Sequence, residues 1–362
     1  DYFALIETRL NDKSKSSEVI YLSQKSIEIE PTSLGYYYLA RGNEGINNFE
    51  NAIKYYSEAI LLDPKDEFSF NNRGLIKSSR GNHEGAIKDF SRAINIDPNN
   101  PTILFNRATS LNQIQDYKKA IKDFDLAIEI ETGESIFWNN RGLAKYNLGD
   151  YKGAIEDYDQ AIMINRNAPI TLSNRGLAKG KSGDIEGALK DFNQSITLDS
   201  YNAISLSNRG TLLTNIGNYN EAIQDLNNAI KVEPENDISI NNRGLARYNL
   251  GNYEGAIEDF DQAIKINPLD ASYWIHIGRT KERLNNIKGA IEDYTQAISI
   301  DPNNANAFNF RGLLYSSVGE KTLAINDLST AIKINPNNDI PWNNRGLVKS
   351  NSGDNKGAIE DY

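Results

Sequence analysis

The chain has no cysteine, one methionine and two histidines, and no apolar run long enough to cross a bilayer. The missing cysteines exclude disulfides, Cys-ligated zinc, iron–sulfur clusters and thiol catalysis, and they leave the redox compartment unreadable. His83 and His276 stand far apart in the sequence, so no metal site or Ser-His-Asp set can be assembled around them. A transmembrane helix would need about 18 consecutive apolar residues. Positive charge is also short. Lys and Arg number 39 against 49 Asp and Glu, a net charge of −10. That argues against a general nucleic-acid or anionic-membrane binder, which needs a basic field.

The rest of the composition suits a folded, water-facing chain: 39% apolar and 24% charged over 362 residues. That length would ordinarily mean two or three globular domains, but an internal period points elsewhere. The glycine of a recurrent Asn-Arg-Gly falls at Gly74, Gly142, Gly176, Gly210, Gly244, Gly312 and Gly346. Gly278 keeps the spacing without Asn-Arg, and Ala40 and Ala108 fill the remaining slots. Every step is 34 residues or a multiple of it, with no slip. An alanine follows twelve residues later in each unit, from Ala52 to Ala358. A second small residue comes seven further on, from Ala59 to Ala331, with Ser195 in one unit. Between them lies a bulky residue: Tyr56, Phe90, Phe124, Tyr158, Phe192, Leu226, Phe260, Tyr294, Leu328 and Tyr362.

Each unit reads as two helices. In the second, apolar residues at i, i+1, i+4, i+7 and i+8 make one helical stripe and not a strand alternation. Gly149-Asp150, Gly183-Asp184, Gly251-Asn252 and Gly353-Asp354 break the chain between helices. Asp63-Pro64, Asp97-Pro98, Asp301-Pro302 and Asn335-Pro336 end the second one. Small Gly and Ala let the helices approach, and the aromatic fills the seam.

These residues resemble the tetratricopeptide repeat family, whose motif sets Gly or Ala at position 8, Ala at 20, an aromatic at 24, Ala at 27 and Pro at 32. The resemblance covers essentially the whole chain and implies an all-α, right-handed superhelical solenoid of antiparallel helix pairs, in ten to eleven units. Residues 1–362 are then one solenoid domain: 1–32 a degenerate unit, with Phe3, Val19, Ser26 and Pro31 near the expected slots, 33–338 nine full repeats, and 339–362 a truncated one. The chain opens without Met and stops inside a repeat, and is expected to be an excerpt of a longer polypeptide. No targeting signal is visible in it, and the cytoplasm is the expected compartment.

One departure from the motif matters. Position 7, normally Leu, is Arg73, Arg107, Arg141, Arg175, Arg209, Arg243, Arg311 or Arg345. Position 11, often Tyr, is Lys77, Lys145, Lys179, Lys281 or Lys349. Position 23, which lies near position 7 across an antiparallel pair, is Asp in every repeat except that of Tyr55, where position 7 is Leu39. Arg–Asp pairs such as Arg141 with Asp157 and Arg243 with Asp259 are therefore expected to buttress the hairpins. Ile277 opposite Asp293 breaks the correlation. A row of arginines for phosphate fits poorly with so many acids alongside.

No catalytic or metal residue stands out. The Glu156-Asp157 and Glu258-Asp259 pairs follow the repeat period, which suits a scaffold better than acid–base chemistry. Gly176-Leu-Ala-Lys-Gly180-Lys181-Ser182 has three residues between its glycines where a phosphate loop has four, and lies in a helix. Asp97-Pro-Asn-Asn and Asp301-Pro-Asn-Asn lack the Gly and closing Glu of a calcium loop. Asn193-Gln194-Ser195 is a glycosylation sequon of the kind a repeat produces by chance.

The resemblance implies that first-helix positions 2, 6, 9 and 13 line a concave groove, and their spacing is a single helical face. Position 6 is Asn72, Asn106, Asn140, Asn174, Asn208, Asn242 and Asn344, and lapses to Tyr38, His276 and Phe310. Position 13 adds Asn147, Asn215, Asn249 and Asn351. Position 2 is apolar in most units (Phe68, Ile136, Ile170, Ile204, Ile238, Ile340), and position 9 gives Leu75, Leu143, Leu177, Leu245, Leu313 and Leu347. An amide offers both donors and acceptors, so an asparagine ladder can grip the backbone of an extended peptide. A similar ladder lines the repeat superhelix of O-linked N-acetylglucosamine transferases. The clamp that other members use for a C-terminal carboxylate has Lys at 5, Asn at 6 and 9, Lys at 2 and Arg at 6; this chain has the Asn at 6 but no Lys at 2 or 5 and no Arg at 6.

The expectation is a non-catalytic protein-interaction scaffold that takes a protein or peptide partner in the groove. It needs no cofactor, metal, nucleic acid or membrane. Two other readings stand beside it: a substrate-recruiting arm of a larger enzyme such as a glycosyltransferase, and a structural unit that self-associates end to end.

Overall fold

A computed structural model describes residues 2–10 and 12–362. Among them are 22 α-helices, one 3-10 turn and no strand. The chain forms two compact units, residues 1–188 and 189–362. The first begins with a short helix α1 (Tyr2–Glu7), a 3-10 turn (Lys13–Lys15) and α2 (Ser16–Ile29). Regular pairs follow: α3 (Ser33–Gly45) with α4 (Phe49–Leu62), α5 (Glu67–Ser79) with α6 (His83–Ile96), α7 (Pro101–Gln113) with α8 (Tyr117–Ile130), and α9 (Ser135–Asn147) with α10 (Tyr151–Ile164). Next come α11 (Pro169–Ser182) and α12 (Ile185–Leu198), which contains the boundary between the units. The second unit pairs α13 (Ala203–Asn215) with α14 (Tyr219–Val232), α15 (Asp237–Leu250) with α16 (Tyr253–Ile266) and α17 (Ala271–Arg283) with α18 (Ile287–Ile300). It ends with α19 (Ala305–Ser317) on α20 (Lys321–Ile334) and α21 (Asp339–Ser350) on the short α22 (Asn355–Asp361). Within each unit a helix packs mainly on its neighbours in sequence, and first helices of successive pairs also touch, as α5 does α7 and α15 does α17.

The seam of each hairpin follows from three side chains. Ala256, Phe260 and Ala263 are fully buried on α16, as are Ala86, Phe90 and Ala93 on α6. The facing residue on the first helix must be small. A Cβ placed on Gly244 would sit 2.6 Å from Phe260 Cε1, and one on Gly142 2.8 Å from Tyr158 Cε1. Ala40 against Tyr56 and Ala108 against Phe124 show that one methyl group is the limit of that space.

The turn between paired helices uses one slot with positive φ. Gly149, Gly183 and Gly251 take it at φ 85°, 93° and 88°, and Asn47, Gln115 and Asn285 at φ 59°, 63° and 58°. The next residue caps the second helix: Asp150 accepts from the Gly153 amide and Asn252 from the Gly255 amide. The residues read as helix breaks are thus a left-handed turn followed by an N-cap.

Two substitutions probe these constraints. Gly244→Val overpacks the seam against Phe260 and should destabilise by about 1–3 kcal/mol. Because repeats touch only their neighbours, amide exchange should accelerate in α15 and α16 first. Uniform acceleration along the chain would contradict repeat-by-repeat packing. Gln115→Gly removes a left-handed strain of about 1–2 kcal/mol and adds about 0.5–1 kcal/mol of backbone entropy cost, so thermal stability should rise slightly. A lower melting temperature would show that Gln115 holds something the strain argument misses.

Candidate peptide-binding face

Each first helix has a side turned to its partner helix and a side left open, and the two use charge differently. On the packed side, the arginine of position 7 grips the aspartate of position 23. Arg73 donates from Nε to Asp89 Oδ2 at 2.9 Å and from Nη2 to Oδ1 at 2.7 Å. The same fork joins Arg107 to Asp123, Arg141 to Asp157, Arg209 to Asp225, Arg243 to Asp259, Arg311 to Asp327 and Arg345 to Asp361. A second cation from position 11 often joins it, as Lys145 does on Asp157 at 2.9 Å and Lys349 on Asp361 at 2.9 Å. Burial opposes ionisation of Asp361, but the hydrogen bonds from Arg345 and Lys349 outweigh it and hold the carboxyl below its ordinary range. The expected hairpin pairs are present.

Two features of this bracket are not visible in the sequence. The third arginine nitrogen reaches back sixteen residues into the preceding repeat: Arg73 Nη1 to Ser57, Arg141 Nη1 to Asp125, Arg243 Nη1 to Asn227 and Arg345 Nη1 to Ser329. Where position 4 is aromatic the guanidinium also lies over that ring, at 4.7 Å for Arg141 over Trp138 and 5.0 Å for Arg345 over Trp342. Lysine could not supply a planar fork, a third donor and a stacking face together.

Two repeats are braced otherwise. Where position 7 is Leu39 or Ile277, the position 24 tyrosine donates to a glutamate: Tyr56 to Glu44 at 2.8 Å, and Tyr294 to Glu282. The arginine moves to position 9, as Arg41 and Arg279. Asp293 keeps only Lys281 as its cation, and burial pushes its carboxyl up despite that lysine.

The open side carries the asparagines. Asn72, Asn106, Asn140 and Asn174 in the first unit, and Asn208, Asn242 and Asn344 in the second, are all half-buried at one register. Most of their amides already have protein partners. Asn106 Nδ2 donates to Asn71 at 3.0 Å, Asn174 to Asn139 at 3.2 Å and Asn344 to Asn309 at 2.8 Å, each 35 residues back. Asn72 reaches Tyr37 at 3.4 Å, Asn242 reaches Thr211 at 2.8 Å, and Asn140 folds back to the Ile136 carbonyl at 2.8 Å. The ladder therefore links one repeat to the next. Asn147, Asn215, Asn249 and Asn351, at the helix ends, are exposed. Position 5, which supplies most of the acceptors, was missed in the sequence; its signal is Asn71, Asn139, Asn241 and Asn309 recurring beside the ladder.

Position 2 is open. Phe68, Ile136 and Ile170 in the first unit are 59%, 49% and 58% exposed, and Ile204, Ile238 and Ile340 in the second are 56%, 60% and 56%. Position 9 is mixed: Leu75, Leu313 and Leu347 are exposed, while Leu143, Leu177 and Leu245 are half-buried. A cavity of about 720 Å³ lies beside Leu10, Leu34, Tyr37 and Phe68, and three of its carboxylates have structural work: Asp66 caps α5, Asp63 accepts from the Lys65 amide and Glu7 takes the Tyr38 hydroxyl. Among the described residues no group of three or more His, Asp and Glu is arranged to hold a metal ion, and no helix is long and apolar enough to cross a membrane.

His276, at the ladder register, is half-buried, with Nδ1 2.8 Å from Asn241 Oδ1 and its ring 5.2 Å from that of Phe260. Burial, with the Arg279 charge second, brings its pKa down to about 4. An unfolded imidazole takes a proton near pH 6.5, so this site's contribution is complete above that pH, declines as pH falls toward 4, and is flat below. The loss should be on the order of 3 kcal/mol. Proton NMR should find His276 neutral until about pH 4. In His276→Phe, the residue type that the next repeat has at Phe310, the unfolding free energy should lose that slope. A normal titration near 6.5 would show that the imidazole is open to water.

Comparison with known proteins gives three results. Family models described as tetratricopeptide repeat match residues 135–168 and 239–269, and 34–66, 101–132 and 305–338; one described as TPR repeat matches 74–114, 210–251 and 283–319. No curated protein sequence matches the chain. Among solved structures, a chain of the APC/C hetero-tetramer Cut9-Hcn1 is 14% identical with a TM-score of 0.58, covering 87% of this chain and 76% of that one. A tetratricopeptide repeat protein from Parabacteroides merdae is 19% identical with a TM-score of 0.56, covering 68% and 98%. Pseudomonas aeruginosa pilF is 17% identical with a TM-score of 0.53, covering 60% and 97%. At these identities the likeness is one of fold.

Proposed function

The chain belongs to the tetratricopeptide repeat family and is a protein–protein interaction scaffold, and on that premise we propose that it binds an extended peptide along the open face of its first helices, without chemistry of its own. The observation that carries this reading is the exposed position 2 row. Apolar side chains recur there at one register, about half exposed, in repeats whose position 24 residues, such as Phe90 and Phe260, are buried in the hairpin seams. Burying one such side chain against a partner is worth about 1.5–3 kcal/mol. The asparagines contribute their second N–H and spare carbonyl lone pairs to the peptide backbone. The 34-residue frame, unbroken from residue 33 on, supports reading residues 1–362 as one solenoid domain with 1–32 as its degenerate first unit.

The test starts from peptides selected on the chain from a random display library, then synthesised and measured by calorimetry. The double variant Ile204→Ser, Ile238→Ser alters only exposed side chains, so circular dichroism should not change. Affinity should fall by about tenfold or more per lost contact. Asn242→Ala should weaken binding less, by about 0.5–1.5 kcal/mol, because that amide also holds Thr211. Unchanged affinity in the folded isoleucine variant would remove the face from consideration.

A further inference from the structure

In the second unit, two arginines on the open face lack the carboxylates that every other bracketed arginine of that unit has. Positions 9 and 13 are neutral in the repeats on either side, Leu245 and Asn249 before and Leu313 and Ser317 after. In α17 they are Arg279 and Arg283, one helical turn apart and both exposed. Tyr248, on α15, holds the two together: the Arg279 guanidinium lies 5.6 Å from its ring centroid, and Arg283 Nε donates to its hydroxyl at 3.2 Å. The charged residues between them are committed elsewhere, Lys281 to Asp293 and Glu282 to the Tyr294 hydroxyl. Among the described residues neither arginine makes an ion pair. This occurs in a chain of net charge −10, with carboxylates to spare.

We propose that Arg279 and Arg283 receive the side-chain carboxylate of an Asp or Glu in the bound peptide, with its apolar neighbours lying on Ile238 and Leu313. This rests on the peptide-binding reading and adds the partner's chemistry. Two planar forks one turn apart, steadied by one tyrosine, can both donate to a single carboxylate, and charge-assisted bonds of this kind are about twice as strong as neutral ones. Exposed Ile238 before and Leu313 after give the acidic residue a defined register: one acid between apolar neighbours of an extended segment.

The experiment uses the full chain and a random peptide display library. Selected peptides should be enriched in Asp or Glu flanked by apolar residues. They are synthesised with amidated C-termini, so that only side-chain carboxylates are offered, and measured by fluorescence anisotropy at low and moderate salt. Replacing the acid by Asn or Gln should weaken binding about tenfold and abolish the salt dependence. The R279Q/R283Q double variant should bind the acidic and neutral peptides alike, while R279K/R283K should keep the salt dependence at reduced affinity. Arg166→Gln, exposed and in the other unit, controls for net charge. Equal affinity for acidic and neutral peptides in the unmodified chain, or an R279Q/R283Q variant that still prefers the acid, overturns this inference and leaves the peptide face standing. A matched phosphoserine peptide that binds more tightly than the Asp or Glu peptide overturns the assignment to a carboxylate. Failure to select any peptide overturns the face itself, and this inference with it.

Discussion

The buried aspartate of position 23 is the constraint around which most of the hairpins are arranged. A carboxylate such as Asp157 or Asp259, almost wholly out of water, must find cations within hydrogen-bond reach, because an unpaired buried charge costs several kcal/mol. The position 7 arginine satisfies it with a two-pronged contact and uses its remaining nitrogen on the preceding repeat. A buried ion pair is weak evidence for stability, since a well-packed apolar substitute often does as well. Here it fixes geometry. A single side chain, such as that of Arg141, ties the two helices of a hairpin, stacks on the aromatic one turn away and reaches the hairpin before it. Sliding any of these elements by one residue would break several bonds together.

This arrangement also explains where charge is absent. Positions 7 and 11 take the cations into the seam, where carboxylates neutralise them. The open side is left with isoleucine, leucine and amides. A surface of that kind carries no long-range field of one sign, so it suits a partner whose contacts are apolar side chains and main chain better than one recognised by charge. Against so neutral a background, an unpaired pair such as Arg279 and Arg283 is conspicuous. In the repeat where Ile277 stands at position 7, the arginine has moved to position 9 and onto the open face.

Much of the fold was legible because its determinants are local and repeated. The glycine at 244, the aromatic at 260 and the alanines at 256 and 263 recur in a frame with no slip, and each has one steric explanation that the structure supports. The Arg–Asp pairing was legible for the same reason, since the exceptional Leu39 coincided with the exceptional Tyr55. The helical period could not say which neighbouring repeat a polar side chain reaches. It places Asn106 on the open face, but its bond to Asn71 depends on how far one first helix is offset from the next. The same offset decides that Arg141 reaches Asp125, a residue with no mark in the sequence beyond its distance from the arginine.

The ladder's double duty has an energetic consequence for binding. An amide donor already bonded at 2.8–3.2 Å to a neighbouring repeat, as in Asn344, Asn106 and Asn174, gains little by exchanging that partner for a peptide carbonyl, since one hydrogen bond replaces another. In the proposed peptide complex, net affinity would therefore come mainly from surface that is wet in the free protein, which is the position 2 row and the exposed leucines of position 9. The amides keep successive first helices in register, and that register sets the spacing of the apolar row. A peptide meeting the row finds its contacts already spaced and need not order the face on binding. In the proposed complex the asparagines would thus act chiefly by positioning, and the side chains beside them would supply most of the free energy of contact.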